Sequence, residues 1–296
     1  MLKDNKMVQA ACEGNKPSLG LIILMPFLFT FTLSIGNVIS TILGEILFRS
    51  LGDPLSQIAT QYLNYIISFA LAGGVIFWVV CKVQKKSWKS LGLFREKAVF
   101  YYLKGAGIAV LGIIAMMSIL QFKGEIMIQP TALNREGVLW GILLMICVAW
   151  VIQGAAEEVF LRGFMFQAIT SRYGVYKGII VPAMVFALLH LGNAGINMIS
   201  MLNILLCGLA LVLLVLKDEN LWGAFGFHAA WNLLQGNVFG VSVSGNAMDI
   251  SLFKVINQTD TLWSGGNFGL EGSLLTTIFF VLMSLFLILQ LRKVQK

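Results

Sequence analysis

Charged residues are scarce in this chain. Lysine, arginine, aspartate and glutamate make up only 12% of the 296 residues, whereas 58% are hydrophobic. A soluble domain has about 25% charged residues, so this composition excludes an ordinary soluble protein and indicates a polytopic membrane protein. A helix that spans a bilayer needs about 20 mostly apolar residues. About eight stretches supply such segments, at 20–47, 60–81, 102–121, 138–169, 175–191, 197–216, 221–239 and 272–291.

Cysteine is also rare, and none of the cysteines is placed for a structural bridge. Two fall on the predicted inner side and two within helices, namely Cys12, Cys81, Cys147 and Cys207. No extracellular disulfide is therefore expected, and the spacings fit no zinc motif. Internal repeats, low-complexity tracts and flexible linkers are missing as well. We predict a polar cytoplasmic N-terminus at 1–18 and a single helical membrane domain at 19–296.

Basic residues are distributed unevenly between the predicted loops. If the N-terminus is inside, the outer side receives only Arg49, Lys123, Arg135 and Lys254, and the inner side receives the other 17 of the 21 lysines and arginines. Because inner loops of membrane proteins are enriched in lysine and arginine, both termini are predicted to be cytoplasmic. The pI of about 9.3 follows from these basic inner loops, which would face an anionic leaflet. The basic charge therefore gives no reason to propose a nucleic-acid partner.

Two long connections differ in composition. The basic segment 82–101 is interpreted as an ordinary inner loop, although its interspersed Trp88 and Leu91 also suit an interfacial amphipathic segment. Residues 240–271 are rich in Gly, Ser, Asn and Thr and are predicted to form an outer loop. Partial alternation of apolar and polar residues there permits a short hairpin. A lid or binding loop and a passive crossover are equally compatible with this segment.

Histidine occurs only twice, both times in an apolar stretch. The two segments are Phe186-Ala-Leu-Leu-His190 and His228-Ala-Ala-Trp-Asn232, and in each of them the first and last side chains share a helix face. A lone histidine in an apolar helix is most often a satisfied core residue. Ionisable groups within a membrane are costly, however, and usually mark function. The two histidines are therefore candidates for one polar site.

A third apolar stretch carries the motif Glu157-Glu158-Val-Phe-Leu-Arg162. Glu158 and Arg162 are four residues apart with the acid first, which favours a pair on one helix face. Glu157 lies about 100° further round the helix and remains available as a base or ligand. Gly154, one turn earlier, would let another helix approach closely. The alternative is a buried ion pair that only joins helices.

The depth of these groups can be compared by helical rise. If the chain turns near Tyr173, Glu157 and His190 lie about 24 and 26 Å from that turn and are level across an antiparallel helix pair. His228 lies only about 12 Å above the start of its own helix. His228 reaches the level of Glu157 and His190 only if its helix starts deeper in the membrane. Otherwise Asn232, one turn further along, would have to reach that level in its place.

A site of this kind has the parts needed for hydrolysis. A carboxylate can take a proton from water, a neutral imidazole can orient or share that proton, and an amide can stabilise an oxyanion. Ser-His-Asp chemistry fits less well, because the three motif segments contain no aspartate and no Gly-x-Ser-x-Gly elbow is present. Glu157, His190 and His228 could also hold zinc with an open water position, although the His-Glu-x-x-His spacing is missing. A carboxylate base and a zinc site therefore remain the two alternatives for this chain.

These segments resemble a known family. Glu157-Glu158-x-x-x-Arg162, Phe186-x-x-x-His190 and His228-x-x-x-Asn232, in that order, look like the three motifs of the CPBP (Abi) intramembrane proteases, which include the type II CAAX prenyl endopeptidases. The match covers about residues 138–240. The run Gly265-Gly-Asn-Phe-Gly-Leu-Glu-Gly272 also looks like a segment of bacterial members.

The resemblance implies an all-α fold of about eight transmembrane helices with an intramembrane active-site cavity, and peptide-bond hydrolysis without a covalent intermediate. In this chain Glu157 and His190 would activate water, and His228 and Asn232 would stabilise the oxyanion. Glu158 and Arg162 would support the site. The family has been described both as metalloproteases and as glutamate-dependent proteases. No cofactor is therefore firmly predicted, and zinc remains an alternative.

We therefore predict an intramembrane endopeptidase in the cytoplasmic membrane of a bacterium, with a hydrophobic peptide or membrane protein as substrate and the lipid bilayer as its surroundings. The alternative is a non-catalytic membrane partner, which confers bacteriocin immunity or regulates a membrane sensor through the same pocket. An ion or proton pathway is disfavoured, because the charges cluster at one level instead of forming a relay across the bilayer.

Overall fold

A computed structural model describes residues 2, 4–131, 137–259 and 262–293. Lys3, Arg135 and Lys296, which entered the charge comparison, lie outside these described residues. The described chain forms ten α-helices and two short strands. In order they are α1 (Lys6–Cys12), α2 (Leu19–Phe48), α3 (Leu55–Trp78), α4 (Ala98–Phe122), β1 (Ile126–Pro130), α5 (Gly137–Glu158), α6 (Phe166–Tyr173), α7 (Val175–Leu189), α8 (Met198–Asp218), α9 (Trp222–Leu233), β2 (Phe253–Asn257) and α10 (Leu274–Lys293).

The predicted all-α membrane fold is confirmed, and the number of spans is corrected. Within the described residues six helical segments, not eight, are long and apolar enough to cross a membrane. They are Leu19–Leu51, Leu55–Val83, Ala98–Phe122, Trp140–Tyr173, Met198–Asp218 and Leu274–Lys293. The predicted stretches 175–191 and 221–239 correspond to shorter helices, α7 with 15 residues and α9 with 12.

Both helices fall short of a full membrane span, and for α9 the surroundings explain this. Fifteen residues rise about 22 Å, less than the roughly 30 Å of bilayer hydrocarbon. Helix α9 packs against α4, α5 and α8, and nine of its 12 residues are buried. Protein instead of lipid surrounds most of this helix, so it does not need a full membrane length of apolar residues.

Glycines allow the close approach of α9 to its neighbours. A Cβ atom on Gly105 of α4 would lie 1.8 Å from the carbonyl oxygen of Gly223, and one on Gly226 would lie 1.9 Å from that of Tyr102. On the α5 side, a Cβ atom on Gly154 would lie 3.2 Å from Cβ of His228. The predicted role of Gly154 in close helix packing is confirmed. Small residues at such crossings let two backbones come into contact.

Helix α5 does not end at Glu158 but continues in a wider turn. Residues Val159–Met165 form a π-helical segment, all seven of which are buried, and α6 follows directly. A second π-helical segment, Leu234–Val238, continues α9. Turns of this type occur frequently at functional sites. Here one directly follows the helix that carries Glu157, and the other directly follows the helix that carries His228.

The N-terminal segment and several basic connections lie at one end of the helical bundle. Helix α1, which the sequence did not predict within residues 1–18, packs against α6. The Asn5 side chain donates to the Leu216 carbonyl at 2.7 Å. The segment after Lys86 is not an ordinary exposed loop, because Leu91 and Leu93 are buried and the Gly92 carbonyl accepts from Leu221 N at 3.1 Å. The division at residue 18 stays a prediction.

The opposite end carries the only sheet in the described part of the chain. Strands β1 and β2 are antiparallel, from Ile126 opposite Asn257 to Pro130 opposite Phe253. Strand β2 thus pairs with a strand that follows α4, and the short hairpin that the sequence permits within 240–271 is limited, among the described residues, to one antiparallel bridge between Val243 and Asn246. Alternation of apolar and polar residues indicates a strand but does not choose its partner, which depends on where the helices bring the loops together.

The glycine contacts between α4 and α9 give a prediction. We expect Gly105→Ala to lower the thermal stability of the detergent-purified protein, because overpacking of this kind costs about 1–3 kcal/mol or more. Gly107→Ala is the matched control, since a Cβ atom on Gly107, two residues further along α4, would meet nothing within 4 Å. Equal melting temperatures for the two variants would contradict the proposed close packing.

Candidate active site

A cavity of about 220 Å³ lies within the helical bundle. All four residues predicted to be catalytic line it, namely Glu157, His190, His228 and Asn232. The remaining wall comes from helices α2, α3, α5, α7, α8, α9 and α10 and from the loop at 240–271. One water molecule needs about 10–15 Å³ of such space, so the cavity can hold several waters or part of a peptide.

The predicted pair of Glu158 and Arg162 lies behind the cavity wall, with relative side-chain exposures of 0% and 1%. Nη1 of Arg162 donates to Oε1 of Glu158 at 2.8 Å, and Nη2 donates to the Gly208 carbonyl at 3.3 Å. The guanidinium also lies 4.9 Å from the centre of the Phe186 ring. Each of these contacts compensates part of the cost of burying the positive charge.

His228 joins this buried pair to the cavity. Its Nδ1 donates to the same Oε1 atom of Glu158 at 2.8 Å, which fixes the orientation of the ring. Its other nitrogen, Nε2, lies 3.6 Å from Oε2 of Glu157. The rise of its helix alone left the depth of His228 open. The contact of α9 with Gly154 brings His228 to the level of both glutamates.

Glu157 is held at one oxygen and free at the other. Oε1 accepts from Nε2 of Gln153 at 2.8 Å, whereas Oε2 is buried and has no hydrogen-bond partner within the described part of the chain. Gln153 in turn accepts from Nδ2 of Asn232 at 2.8 Å through its own Oε1. The sequence interpretation missed Gln153, although its position four residues before Glu157 on one helix was a usable signal.

His190 caps the end of α7 and is oriented by a backbone carbonyl. Its Nδ1 lies 2.8 Å from the Phe186 oxygen. Because a carbonyl only accepts, Nδ1 must donate, and Nε2 of the neutral ring then carries the lone pair. The His190 ring is hydrogen-bonded to Phe186, whereas Glu157 is bonded to Gln153 and His228 to Glu158. Any cooperation between His190 and Glu157 therefore requires a bridging molecule such as water.

Phe186 packs between the two histidines. Its ring centre lies 4.7 Å from that of His190 and 6.3 Å from that of His228, with steep interplanar angles in both cases. The same ring lies beneath the Arg162 guanidinium. Phe186 is thus a positioning residue, which sets the distance between the two imidazoles.

The loop at 240–271 is held against the cavity by Glu271, whose role the sequence did not reveal. Its carboxylate accepts from Nε1 of Trp231 at 2.9 Å, Nε2 of Gln235 at 3.3 Å, and both the amide and hydroxyl of Ser244 at 2.7 Å. Nδ2 of Asn193 also donates to the Ser244 carbonyl at 2.8 Å. Of the two alternatives for this loop, these contacts favour a wall of the site over a passive crossover.

The imidazoles and the carboxylate of the cavity are also the types of group that bind metal ions. Hydrogen bonding of each histidine through Nδ1 is compatible with metal binding through Nε2. Nevertheless, no three His, Cys, Asp or Glu side chains in the described residues come together closely enough to hold a metal ion. Glu157, His190 and His228 therefore do not fit a zinc site in this arrangement.

The buried pair gives a stability prediction. Glu158→Gln should lower the melting temperature markedly, because loss of one member of a buried ion pair costs about 3–5 kcal/mol. Glu157→Gln is the control, since Glu157 faces the cavity and has no arginine partner. The double variant Glu158→Gln, Arg162→Met should recover part of the loss. A Glu158→Gln protein as stable as the Glu157→Gln protein would contradict the role of this pair.

One comparison with known proteins bears on the motif region. The family model described as type II CAAX prenyl endopeptidase Rce1-like matches residues 139–234, a segment that contains all seven motif residues. No significant match was found among curated proteins or among solved structures. The resemblance drawn from the three motifs is thereby confirmed: residues 139–234 match the Rce1-like type II CAAX prenyl endopeptidase family, which is consistent with a relation to the CPBP proteins.

Proposed function

We propose that this protein is an intramembrane endopeptidase that hydrolyses a peptide bond in a hydrophobic or membrane-associated peptide. At the family level, the Rce1-like match supports a CAAX-type intramembrane endopeptidase, and the apolar helices are those of a multi-pass membrane protein. The residues of the site support the proposed mechanism and substrate. The distribution of basic residues supports the proposed location in the cytoplasmic membrane of a bacterium.

The observation that carries the proposal is the unpaired Oε2 atom of Glu157. It is a buried acceptor without a partner among the described residues, and it belongs to a side chain that lines a cavity with room for water. A buried polar atom without a partner is costly. A water molecule at this oxygen would remove that cost and would also be the molecule to be activated.

In the first step Glu157 takes a proton from this water, and the lone pair on Nε2 of His190 orients the same molecule. The water oxygen attacks the carbonyl carbon of the substrate, and a tetrahedral oxyanion forms. Gln153 holds the other carboxylate oxygen and so keeps Glu157 in one orientation. Glu157 then returns the proton to the leaving nitrogen, the C–N bond breaks, and a carboxylic acid and an amine are released.

The oxyanion is stabilised by His228 and Asn232. His228 acts as an imidazolium, whose charge the neighbouring carboxylates Glu157 and Glu158 balance: Nδ1 donates to Glu158, and the proton already held on Nε2 is donated to the oxyanion. One N–H of Asn232 is bound by Gln153, which leaves the second N–H of the amide for the same purpose. Donors held in place before the reaction stabilise developing charge without further reorganisation.

The rest of the cavity wall favours apolar substrates. Aromatic side chains contribute much of it, including Phe29, Tyr65, Phe69, Phe227 and Trp231. Such linings bind hydrophobic side chains, and the few polar groups determine orientation. A soluble polar peptide would lose its hydration in this cavity without compensation.

The base is tested by Glu157→Gln in purified protein with a fluorogenic apolar peptide. This variant keeps the size and hydrogen bonding of the side chain but removes the proton acceptor, so kcat should fall by about 10²-fold or more. Cys207→Ala is the control for a thiol nucleophile, because Cys207 lines the same cavity. It should leave kcat nearly unchanged, and its complete inactivation would point to covalent catalysis.

The same Glu157→Gln variant separates catalysis from binding in cells. If the protein is a non-catalytic partner, a biological phenotype of the gene should survive Glu157→Gln and His190→Ala in well-expressed protein. Loss of the phenotype in both variants, at normal protein levels, would support hydrolysis as the biological role.

The unsuitable donor set gives a prediction for metal removal. We expect cleavage by the purified protein to persist after treatment with EDTA or phenanthroline, because Glu157, His190 and His228 do not converge on one point. Elemental analysis should find less than stoichiometric zinc. Inactivation by chelator that zinc specifically restores would assign these residues as ligands and overturn the role of Glu157 as base.

A further inference from the structure

We propose that a basic groove between α1 and the segment after α3 binds the phosphate group of an anionic phospholipid. This groove is a second site, independent of the proposed function, and among the described residues it shares no lining side chain with the candidate active site. Three features of the molecule point to a lipid phosphate there: lysines that lack a counter-charge, buried amide groups without partners, and the ends of membrane spans.

The groove carries a surplus of positive charge. It has a volume of about 500 Å³, within the range of small-molecule sites. Four lysines and one acid line it, namely Lys6, Lys85, Lys86, Lys89 and Glu13. Lys6 forms an exposed ion pair with Glu96 at 3.2 Å, whereas the amino groups of the other three lysines form no ion pair within the described residues. An anion in the groove would therefore meet uncompensated ammonium groups.

Lys86 is the least exposed of the four lysines. Its half-buried side chain lies against the turn after α1, where a Cβ atom on Gly14 would be 3.4 Å from Cε of Lys86. Burial lowers the pKa of this amino group, and Glu13 offsets part of that effect. A phosphate beside the amino group would supply the counter-charge that favours the ammonium form.

A small recess next to the groove holds polar groups without partners. The recess and the groove share Lys86 and Ser90 as wall, and Gln84 and Gln167 also line the recess. Nε2 of Gln84 and both amide atoms of Gln167 are buried and have no hydrogen-bond partner in the described part of the chain. Gln167 is only 7% exposed. Such groups are costly unless a partner is supplied, and an oxygen of a phosphate in the groove would accept from the amide groups.

The size of the recess limits what enters it. Its volume is about 10 Å³, roughly that of one water molecule. One phosphate oxygen therefore fits into the recess, while the rest of the phosphate stays in the larger groove beside the lysines.

The position of the recess is that of lipid headgroups. Three helical segments long enough to cross a membrane begin or end there, namely Leu19–Leu51, Leu55–Val83 and Trp140–Tyr173. Pro17 and Gln84, which line the recess, directly flank the first two of these segments. Basic pockets at this level on the cytoplasmic side bind anionic headgroups, and the enrichment in lysine predicts that this side is cytoplasmic.

Apolar side chains beside the groove favour a lipid over a soluble phosphate. Phe94 lines the groove, and Leu19 and Val83 are exposed at the adjoining ends of their spans, with relative exposures of 48% and 52%. Acyl chains would cover these side chains, whereas a soluble anion would leave them in water. A zwitterionic lipid brings its own ammonium group, which the lysines repel.

The headgroup is tested on delipidated protein in detergent, with dioleoyl phosphatidylglycerol as the probe. At saturation it should raise the melting temperature by about 5 °C or more, and dioleoyl phosphatidylcholine and inorganic phosphate should not. An equal rise with phosphatidylcholine would overturn recognition of the anionic headgroup. An equal rise with inorganic phosphate would assign the groove to a soluble anion and overturn the lipid.

The groove itself is tested by native mass spectrometry of the protein with phosphatidylglycerol. The double variant Lys85→Gln, Lys86→Gln should bind the first lipid about tenfold more weakly or worse. The matched control is Lys82→Gln, Lys97→Gln, which removes two exposed charges near the same segment, because neither residue lines the groove. Equal losses in the two double variants would show general attraction to a basic surface and overturn the site.

The recess is tested by Gln167→Leu. If its amide contacts the headgroup, the variant should show a smaller rise in melting temperature with phosphatidylglycerol. In the lipid-free protein the same substitution should raise the melting temperature, because it removes buried groups without partners. A purely structural role would change the lipid-free value alone. An unchanged response to the lipid would therefore overturn the part of the recess in binding it.

Discussion

The buried carboxylate of Glu158 is the interaction on which the rest of the site depends. One oxygen accepts from Arg162 and from His228, both at 2.8 Å, so a single group neutralises the guanidinium and orients the imidazole. Without this carboxylate, Arg162 would be a buried unpaired charge, and the ring of His228 would lose its fixed direction. A residue that does not reach the cavity thereby determines the geometry of those that do.

Close helix packing brings these polar groups to one level. Glycines on α4, α5 and α9 allow backbone contact, and a bulkier residue at Gly105 or Gly226 would clash with a carbonyl oxygen. Helix α9 is therefore enclosed by protein, so it does not need enough apolar residues to span the membrane. The polar groups of His228 and Asn232 are tolerated at this depth because they face Glu158 and Gln153 and not lipid.

Glu157 and Glu158 are adjacent in sequence but differ in environment. Glu158 is fully buried and accepts two hydrogen bonds at Oε1, whereas Glu157 faces the cavity and has one oxygen held by Gln153; the Oε2 atom of each carboxylate has no hydrogen-bond partner among the described residues. Neighbouring carboxyl groups with unequal partners can take unequal tasks, one structural and one chemical. The loop at 240–271 completes the enclosure, since Glu271 accepts hydrogen bonds from Ser244 of the loop, from Trp231 of α9 and from Gln235 of its continuation.

The sequence by itself determined the membrane class, most helices, and the seven motif residues, because apolar length and the spacing of rare ionisable residues are local properties. It could not identify Gln153 or Glu271 as partners, and it gave no partner strand for β2. It also linked Glu157 to His190, whereas the direct neighbour of Glu157 in space is His228. These outcomes depend on which helices touch and at what height, and only the tertiary structure decides such contacts, since they join residues far apart in the chain.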